Sequence, residues 1–312
     1  MSDYYDLVVI GAGPAGLTAA IYGCRAGLSV LVIEKNAAGG QMLLTGNIEN
    51  WPGTALITGH ELSEQIRAQA EAFGAKFKSG EVESLSSAEG TERLITTADG
   101  SVTARAVIVA TGAYHKSLGC PGGQEFHGRG ISYCAICDAG FFRNQEVAVV
   151  GGGNTALEQA MYLTNHASKV HLIHRRNKFR ADKMVQDRLE KFPKIQKVMD
   201  TVVDAIHGTD EVESVKVRHL PTGSVQNLAV NGVFLFVGSA PNSEFLPPEV
   251  LRAPGGWVST DRSLQTSWPG VFAAGDVRDT ELRQIVTATG DGALAAMNVY
   301  RYLEGDLESS HE

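Results

Sequence analysis

Cys134-Ala135-Ile136-Cys137, followed by Asp138, lies between two glycine-rich turns, Gly11-Ala12-Gly13-Pro14-Ala15-Gly16 and Gly151-Gly152-Gly153-Asn154-Thr155-Ala156. Two thiols at this spacing close a short, reducible disulfide loop, and a position at a helix start lowers a thiol pKa through the helix dipole. Each GxGxxG/A turn suits the pyrophosphate of a dinucleotide. The set reads as an electron path in which one cofactor delivers hydride, a flavin receives it and the disulfide carries two electrons to a partner. The competing use of the cysteines, half of a zinc site, needs two further ligands, and no second CxxC or Cys/His pair has suitable spacing. Asp138 is either the proton donor or acceptor beside the dithiol or a capping acid. Cys24, in a predicted helix, and Cys120, in a Gly-Cys-Pro-Gly turn, read as small packing or loop residues.

The elements that must position these groups follow from the apolar pattern. Leu7-Val8-Val9-Ile10 is a continuous apolar run suited to a buried parallel strand, and a helix-like stretch runs from the first turn to about Ala26. In the turn, Gly11 allows the tight bend, Gly13 lets the backbone approach a pyrophosphate and Gly16 lets helix and strand pack closely, while the helix N-terminus offers unpaired N–H groups. A second strand, Ser29–Ile33, ends at Glu34, 23 residues after Gly11, where an acceptor for a ribose hydroxyl belongs. FAD is the expected nucleotide. The strand Ala106–Ala110 ends in the small-residue turn Thr111-Gly112-Ala113, and the strand Gly270–Ala274 ends in Gly275-Asp276 before an amphipathic helix from about Arg283 to Leu303. Asp276 at a strand end can accept a ribityl hydroxyl, or it can be a turn or helix cap.

The second turn repeats the arrangement and changes its chemistry. Glu146–Val150 leads into Gly151, and the strand Lys169–Ile173 reaches His174, again 23 residues on. In place of an acid stand His174, Arg175 and Arg176, with Arg180 beyond. Guanidinium groups there clamp a 2′-phosphate that a carboxylate would repel, so NADPH is expected over NADH; the alternative is a solvated basic face.

At 312 residues the chain is long enough for two domains, and its 43% hydrophobic and 20% charged residues are those of a globular protein. A net charge of −8 without a Lys/Arg-rich face argues against nucleic acid and anionic membranes. The start, Met1-Ser2-Asp3-Tyr4-Tyr5-Asp6, lacks the basic region of a secretory signal, and the apolar stretch Leu7–Tyr22 is broken by glycines and a proline. A cytoplasmic location is expected.

Together these residues resemble the low-molecular-weight thioredoxin reductases, within the class II pyridine nucleotide-disulfide oxidoreductases, over nearly the whole chain. The resemblance is carried by Gly11–Gly16, Gly39-Gly40-Gln41 with Glu49-Asn50-Trp51-Pro52-Gly53, Cys134–Asp138, His174–Ala181, and Ala273–Asp276 with Arg283-Gln284. It implies an α/β fold of two Rossmann-like dinucleotide-binding domains, each a three-layer ββα arrangement. The FAD domain, 1–117 and 243–312, is interrupted by an NADPH domain, 118–242, that carries the dithiol. It implies FAD contacts from Gly11, Gly13, Pro14, Ala15, Gly16, Glu34, Lys35, Gly40, Gln41, Asn50, Thr111, Gly112, Gly275, Asp276, Arg283, Gln284 and Ile285. For NADPH it implies Gly151, Gly153, Asn154, Thr155, Ala156, His174, Arg175, Arg176 and Arg180. It further implies a homodimer, a thioredoxin-like partner, and rotation of the NADPH domain between half-reactions. Cys137 would face the flavin, Cys134 would exchange with the partner's disulfide, and Asp138 would manage the proton. Asn154-Thr155 and Ser239-Ala240 depart from the family's usual Asp-Ser and His-Thr pairs.

Overall fold

The computed structural model describes residues 3–44 and 47–306, so Met1 and Ser2 of the acidic lead-in and the last residues of the second FAD segment lie outside the described residues. The chain divides into two compact units, 1–114 with 240–312, and 115–239.

The first unit is built on a seven-stranded sheet. Its order is Lys76–Ser79, Val30–Glu34, Asp3–Ile10, Gly100–Val109, Arg93–Thr97 and Val82–Ser87, with Val271–Ala273 also paired to Gly100–Val109. The strands that end at the candidate site are parallel, whereas Val82–Ser87, Arg93–Thr97 and Gly100–Val109 form an antiparallel meander. The apolar run Leu7–Ile10 is continuous because both its faces are buried. Leu7 and Val9 join the core under the helices Pro14–Arg25, Gly59–Ala72 and Ile285–Glu304, while Val8 and Ile10 join Leu85, Ile95, Val102 and Val258 on the other face. Helices Pro14–Arg25 and Ile285–Glu304 pack so closely that a Cβ on Gly292 would overlap the Ala15 carbonyl. The second helix begins at Ile285 rather than Arg283, because Gln284 sits in extended backbone as its N-cap and shares a capping box with Thr287.

The second unit has three layers. A five-stranded parallel sheet runs in the order Ile131–Ser132, Gly232–Phe236, Glu146–Gly151, Lys169–Ile173, Ile195–Val198. One face buries Val149, Leu172 and Phe234 against the helices Asn154–Leu163 and Lys183–Leu189 and the single turn Ala135–Asp138. The opposite face buries Val150, Ile173 and Val233 against Ile206, Val215 and Val217 of an antiparallel sheet of three strands, Thr201–Gly208, Val212–His219 and Val225–Ala229. Fully burying each such side chain contributes about 1.5–3 kcal/mol, so an aligned pair of apolar faces suffices to fix the parallel sheet between its two covers.

The chain leaves the first unit along Ala113–His115 and returns along Ser239–Pro241, and these two strands pair. The interrupting unit thus begins at His115 and ends at Ser239, three residues ahead of the 118–242 read from the sequence at both ends. The reason is that the crossing is made by the paired strands themselves, the second of which ends in Pro241.

Candidate functional site

In the first unit the strand Asp3–Ile10 delivers the glycine turn to the C-terminal edge of the parallel sheet. Gly11 adopts φ +103°, which only glycine tolerates without strain, and a Cβ there would sit 2.5 Å from the Ala110 carbonyl oxygen. A Cβ on Gly16 would overlap the Gly11 carbonyl, so the helix can start this close to the turn only with glycine. Gly13 is different. Its backbone lies at φ −76°, open to any residue, and a Cβ would meet only the Gly40 Cα at 4.0 Å. The protein's own packing therefore does not demand glycine at position 13, and its bare backbone is what would let a pyrophosphate approach closely.

Glu34 closes this turn from below. Its Oε2 accepts the Ala12 N–H at 2.7 Å and its Oε1 the Asn36 N–H at 2.9 Å. Each oxygen keeps a second lone pair, so the carboxylate can still accept a ribose hydroxyl. Lys35 turns outward to an exposed ion pair with Glu81 at 3.2 Å. Gln41 donates from its side chain to the Ala113 carbonyl. Asn50 donates to Gln284 Oε1 at 3.0 Å, joining segments 234 residues apart. Thr111 donates to the Asn242 carbonyl at 2.6 Å and Asn242 donates back to the Thr111 carbonyl at 2.9 Å, which locks the Thr111-Gly112 turn.

The Gly275-Asp276 turn is held by an internal ion pair. Asp291 Oδ2 accepts the Gly275 N–H at 3.0 Å and an Arg278 N–H at 2.6 Å. Arg283 lies 3.8 Å above the Trp257 ring and donates to the carbonyls of Asp276 and Arg278 at 3.4 and 3.2 Å. Burial pushes the Asp276 carboxyl up to about 6; the neighbouring Asp291 adds to the shift and Arg283 opposes it. Trp257, Arg278 and Asp291 were not read from the sequence, and Asn242 was read only as a domain boundary. Only Asp291, an acid between two glycines on an otherwise apolar helix face, carried a visible signal.

The second unit repeats the division of labour among glycines. A Cβ on Gly151 would sit 2.6 Å from the Ala156 Cβ, whereas one on Gly153 would meet nothing within 4 Å. His174 is buried with its ring packed on Gly152, and its Nε2 bonds the Lys178 carbonyl at 3.1 Å. Burial holds its pKa below the ordinary histidine value, so it is a neutral prop beneath the turn rather than an exposed cation beside a phosphate. The Gly152 carbonyl accepts the N–H groups of Arg180 and Ala181 at 2.7 and 3.1 Å, which draws the basic segment back to the turn. Arg175, Arg176 and Arg180 are exposed, and none of them forms an ion pair among the described residues. Asn154 and Asp182 exchange two hydrogen bonds at 2.7 Å, so Asn154 anchors the segment after the arginines. Thr155 is exposed in the first turn of the helix.

Cys134 and Cys137 form a disulfide in this same unit. Cys134 caps a single helical turn, Ala135–Asp138, and its Sγ accepts the Cys137 N–H at 3.2 Å. With so short a helix the dipole expected from the sequence is small, and this N–H is the local group that favours a thiolate on Cys134. Ser132 Oγ donates to Asp138 Oδ2 at 2.6 Å and accepts the Cys134 N–H at 3.1 Å. Burial raises the Asp138 pKa, with the Ser132 bond opposing, so this carboxyl holds a proton more readily than a solvated aspartate.

Two dinucleotide turns and a disulfide on one chain are the parts of a flavin-linked disulfide reductase. The family model for pyridine nucleotide-disulphide oxidoreductases matches residues 5–292. The chain belongs to this family. It is 45% identical over 302 residues to a thioredoxin reductase of Listeria innocua, covering 96% of this chain and 94% of that one, and 44% identical over 305 residues to a thioredoxin reductase of Treponema pallidum. The crystal structure of thioredoxin reductase from Streptococcus pyogenes superposes with a TM-score of 0.93 at 45% identity, covering 98% of this chain and all of that one. As a pyridine nucleotide-disulphide oxidoreductase, the chain pairs a Rossmann-type unit whose second strand ends in an acid with one whose second strand leads into arginines. The chemistry of the residues present is compatible with the family's FAD and NADPH: Gly13 and Gly153 have no steric need for a missing side chain, the Glu34 carboxylate keeps lone pairs for a hydroxyl, and Arg175, Arg176 and Arg180 form no ion pair among the described residues.

Proposed function

We propose that this oxidoreductase is an NADPH-dependent thioredoxin reductase whose Cys134–Cys137 pair passes two electrons to a thioredoxin-like protein. The observation that carries the reading is the disulfide itself, housed in the unit that also holds the arginine-flanked turn. Bound, NADPH supplies hydride and FAD relays its two electrons to the disulfide. Gly13 and Gly40 receive the FAD pyrophosphate, Glu34 a ribose hydroxyl and Asp276 a ribityl hydroxyl. Gly153 and the following helix N-terminus receive the NADPH pyrophosphate, and Arg175, Arg176 and Arg180 its 2′-phosphate.

After reduction Cys134 is the attacking thiolate, favoured by the Cys137 N–H. It attacks one sulfur of the partner's disulfide, forming a mixed disulfide and releasing the other as thiolate. Cys137 then attacks Cys134, the mixed bond breaks, and the partner leaves with two reduced sulfurs while Cys134–Cys137 re-forms. Asp138, held by Ser132, takes and returns the proton. Because dithiol and coenzyme turn ride on one unit, they take turns at the flavin, and the inserted unit rotates between half-reactions. The functional form is a cytoplasmic homodimer. Among the described residues no helix is long and apolar enough to cross a membrane.

The test is steady-state oxidation of NADPH, followed at 340 nm as order-of-magnitude kinetics in a range of about 1–1,000 turnovers per second. Oxidised thioredoxin should be required for turnover and should emerge as free thiol. NADPH consumption that ignores thioredoxin would exclude the reading.

A further inference from the structure

The residue before the dithiol packs against two histidine rings. The Tyr133 ring stacks on His115 with ring centres 4.6 Å apart and planes within 10°, and the His127 ring lies 5.3 Å away, tilted by 31°. The three rings come from three separate segments of the second unit. His115 ends the strand along which the chain enters it, His127 sits in the turn closed by the bonds from Gly128 N–H to the Ile131 carbonyl and from Ile131 N–H to the Phe126 carbonyl, and Tyr133 leads directly into Cys134. Burial holds the His127 pKa below and the Tyr133 pKa above their ordinary values, so at neutral pH this histidine and the phenol are uncharged and stack as neutral rings.

Nothing in the chemistry of exchange uses these rings, yet they grip the residue that joins a short edge strand to the dithiol turn. Ile131–Ser132 is a two-residue edge strand and Ala135–Asp138 a single turn. The strand pairs with Gly232–Phe236, and the turn is tied by the bonds around Ser132, the Asp138 N–H to the Cys134 carbonyl at 3.2 Å and the Cys137 N–H to Cys134 Sγ at 3.2 Å; Tyr133 stands between these two sets of bonds. We infer that Tyr133 is a positioning residue for Cys134, acting through its stack on His115 and His127 to hold the two sulfurs at bonding distance. The inference rests on the reading of Cys134–Cys137 as a redox-active pair.

A tethered dithiol closes to a disulfide more readily the less freedom its sulfurs have to lose. Loss of the ring should therefore shift the pair toward the open dithiol. The measurement is equilibration of the FAD-loaded protein with reduced and oxidised glutathione, in which the disulfide and two glutathiones become the dithiol and one oxidised glutathione. The thiol count is read by alkylation and mass. An aromatic pair worth about 0.5–1.5 kcal/mol corresponds to a shift of roughly threefold to tenfold for Tyr133→Leu, with Tyr133→Phe at the wild-type value. His115→Leu, at an exposed position, should shift the equilibrium the same way by a smaller factor and serves if Tyr133→Leu does not fold. A wild-type pair that does not cycle in glutathione at all would overturn the redox reading itself. A cycling wild type with leucine variants at the same equilibrium, or with Tyr133→Phe displaced as far as Tyr133→Leu, would overturn the role of the stack.

Discussion

The two glycine turns are built alike and finished differently. Both follow a buried parallel strand, both have two glycines at spots where a Cβ cannot fit, Gly11 and Gly16 in the first and Gly151 and Gly152 in the second, and both have another, Gly13 or Gly153, where a Cβ would meet nothing closer than 4.0 Å. Their supports diverge. Under the first turn a carboxylate takes the Ala12 N–H; under the second a neutral histidine ring packs on Gly152, and the backbone of Arg180 and Ala181 ties back to the Gly152 carbonyl. A hydrogen-bonded acid holds the first turn and repels a phosphate on the ribose. A neutral prop holds the second and leaves three guanidinium groups to attract one. On the proposed function, one scaffold would serve two coenzymes through what stands at the end of its second strand.

This comparison breaks most visibly at the arginines. Arg175→Ala with Arg176→Ala should raise the KM for NADPH about 100-fold, from the loss of charge-assisted bonds, while leaving that for NADH unchanged; steady-state kinetics with both coenzymes decides. If both rise together, the clamp on the 2′-phosphate is wrong.

The glycines sharpen it next. Gly13→Ala and Gly153→Ala have backbone angles and space that alanine accepts, so each should leave the unfolding midpoint unchanged and weaken its own dinucleotide by about 10- to 100-fold, the 1–3 kcal/mol of an intruding methyl. Gly16→Ala should do the reverse and destabilise the fold, because its Cβ would overlap the Gly11 carbonyl. Titration of each nucleotide alongside urea unfolding separates the two kinds of glycine.

The smallest expected effect concerns Asp276. Its folded pKa of about 6 exceeds the ordinary carboxyl value near 3.9, so the proton binds the folded state better. The resulting contribution is fully present below about pH 4 and lost as pH rises through about 6. Asp276→Asn should thus make the flavin-free chain more stable at pH 7, by about 1–2 kcal/mol after allowance for partial solvent screening, and leave it unchanged at pH 4. Denaturant unfolding at the two pH values measures the difference, and equal gains at both would refute the assigned shift.

What could be read from the chain was whatever repeats or alternates locally. Leu7–Ile10 and Glu146–Val150 announce buried strands because both faces are apolar, and the glycines at fixed offsets announce the turns. The resemblance implied a second β layer, but the strands of the antiparallel sheet Thr201–Ala229 were not placed from the residues, since register shifts at Val203/Ala205 and His207/Gly208 break the period-two pattern that would betray them. Partners chosen by tertiary packing were equally hidden. Asn242 for Thr111, Asp291 for Arg278 and Gly275, and Asp182 for Asn154 lie between 13 and 131 residues apart, and no local pattern joins them. His174 shows the limit most clearly: its place at the strand end was legible, but the direction of its ring, inward onto Gly152, is a fact of packing.

The central claim is that electrons leave the protein through Cys134–Cys137. In stopped flow, NADPH should bleach the flavin absorbance of the loaded wild type and of Cys137→Ser alike, and oxidised thioredoxin should then restore it in the wild type only. Recovery in Cys137→Ser at the wild-type rate would contradict the account.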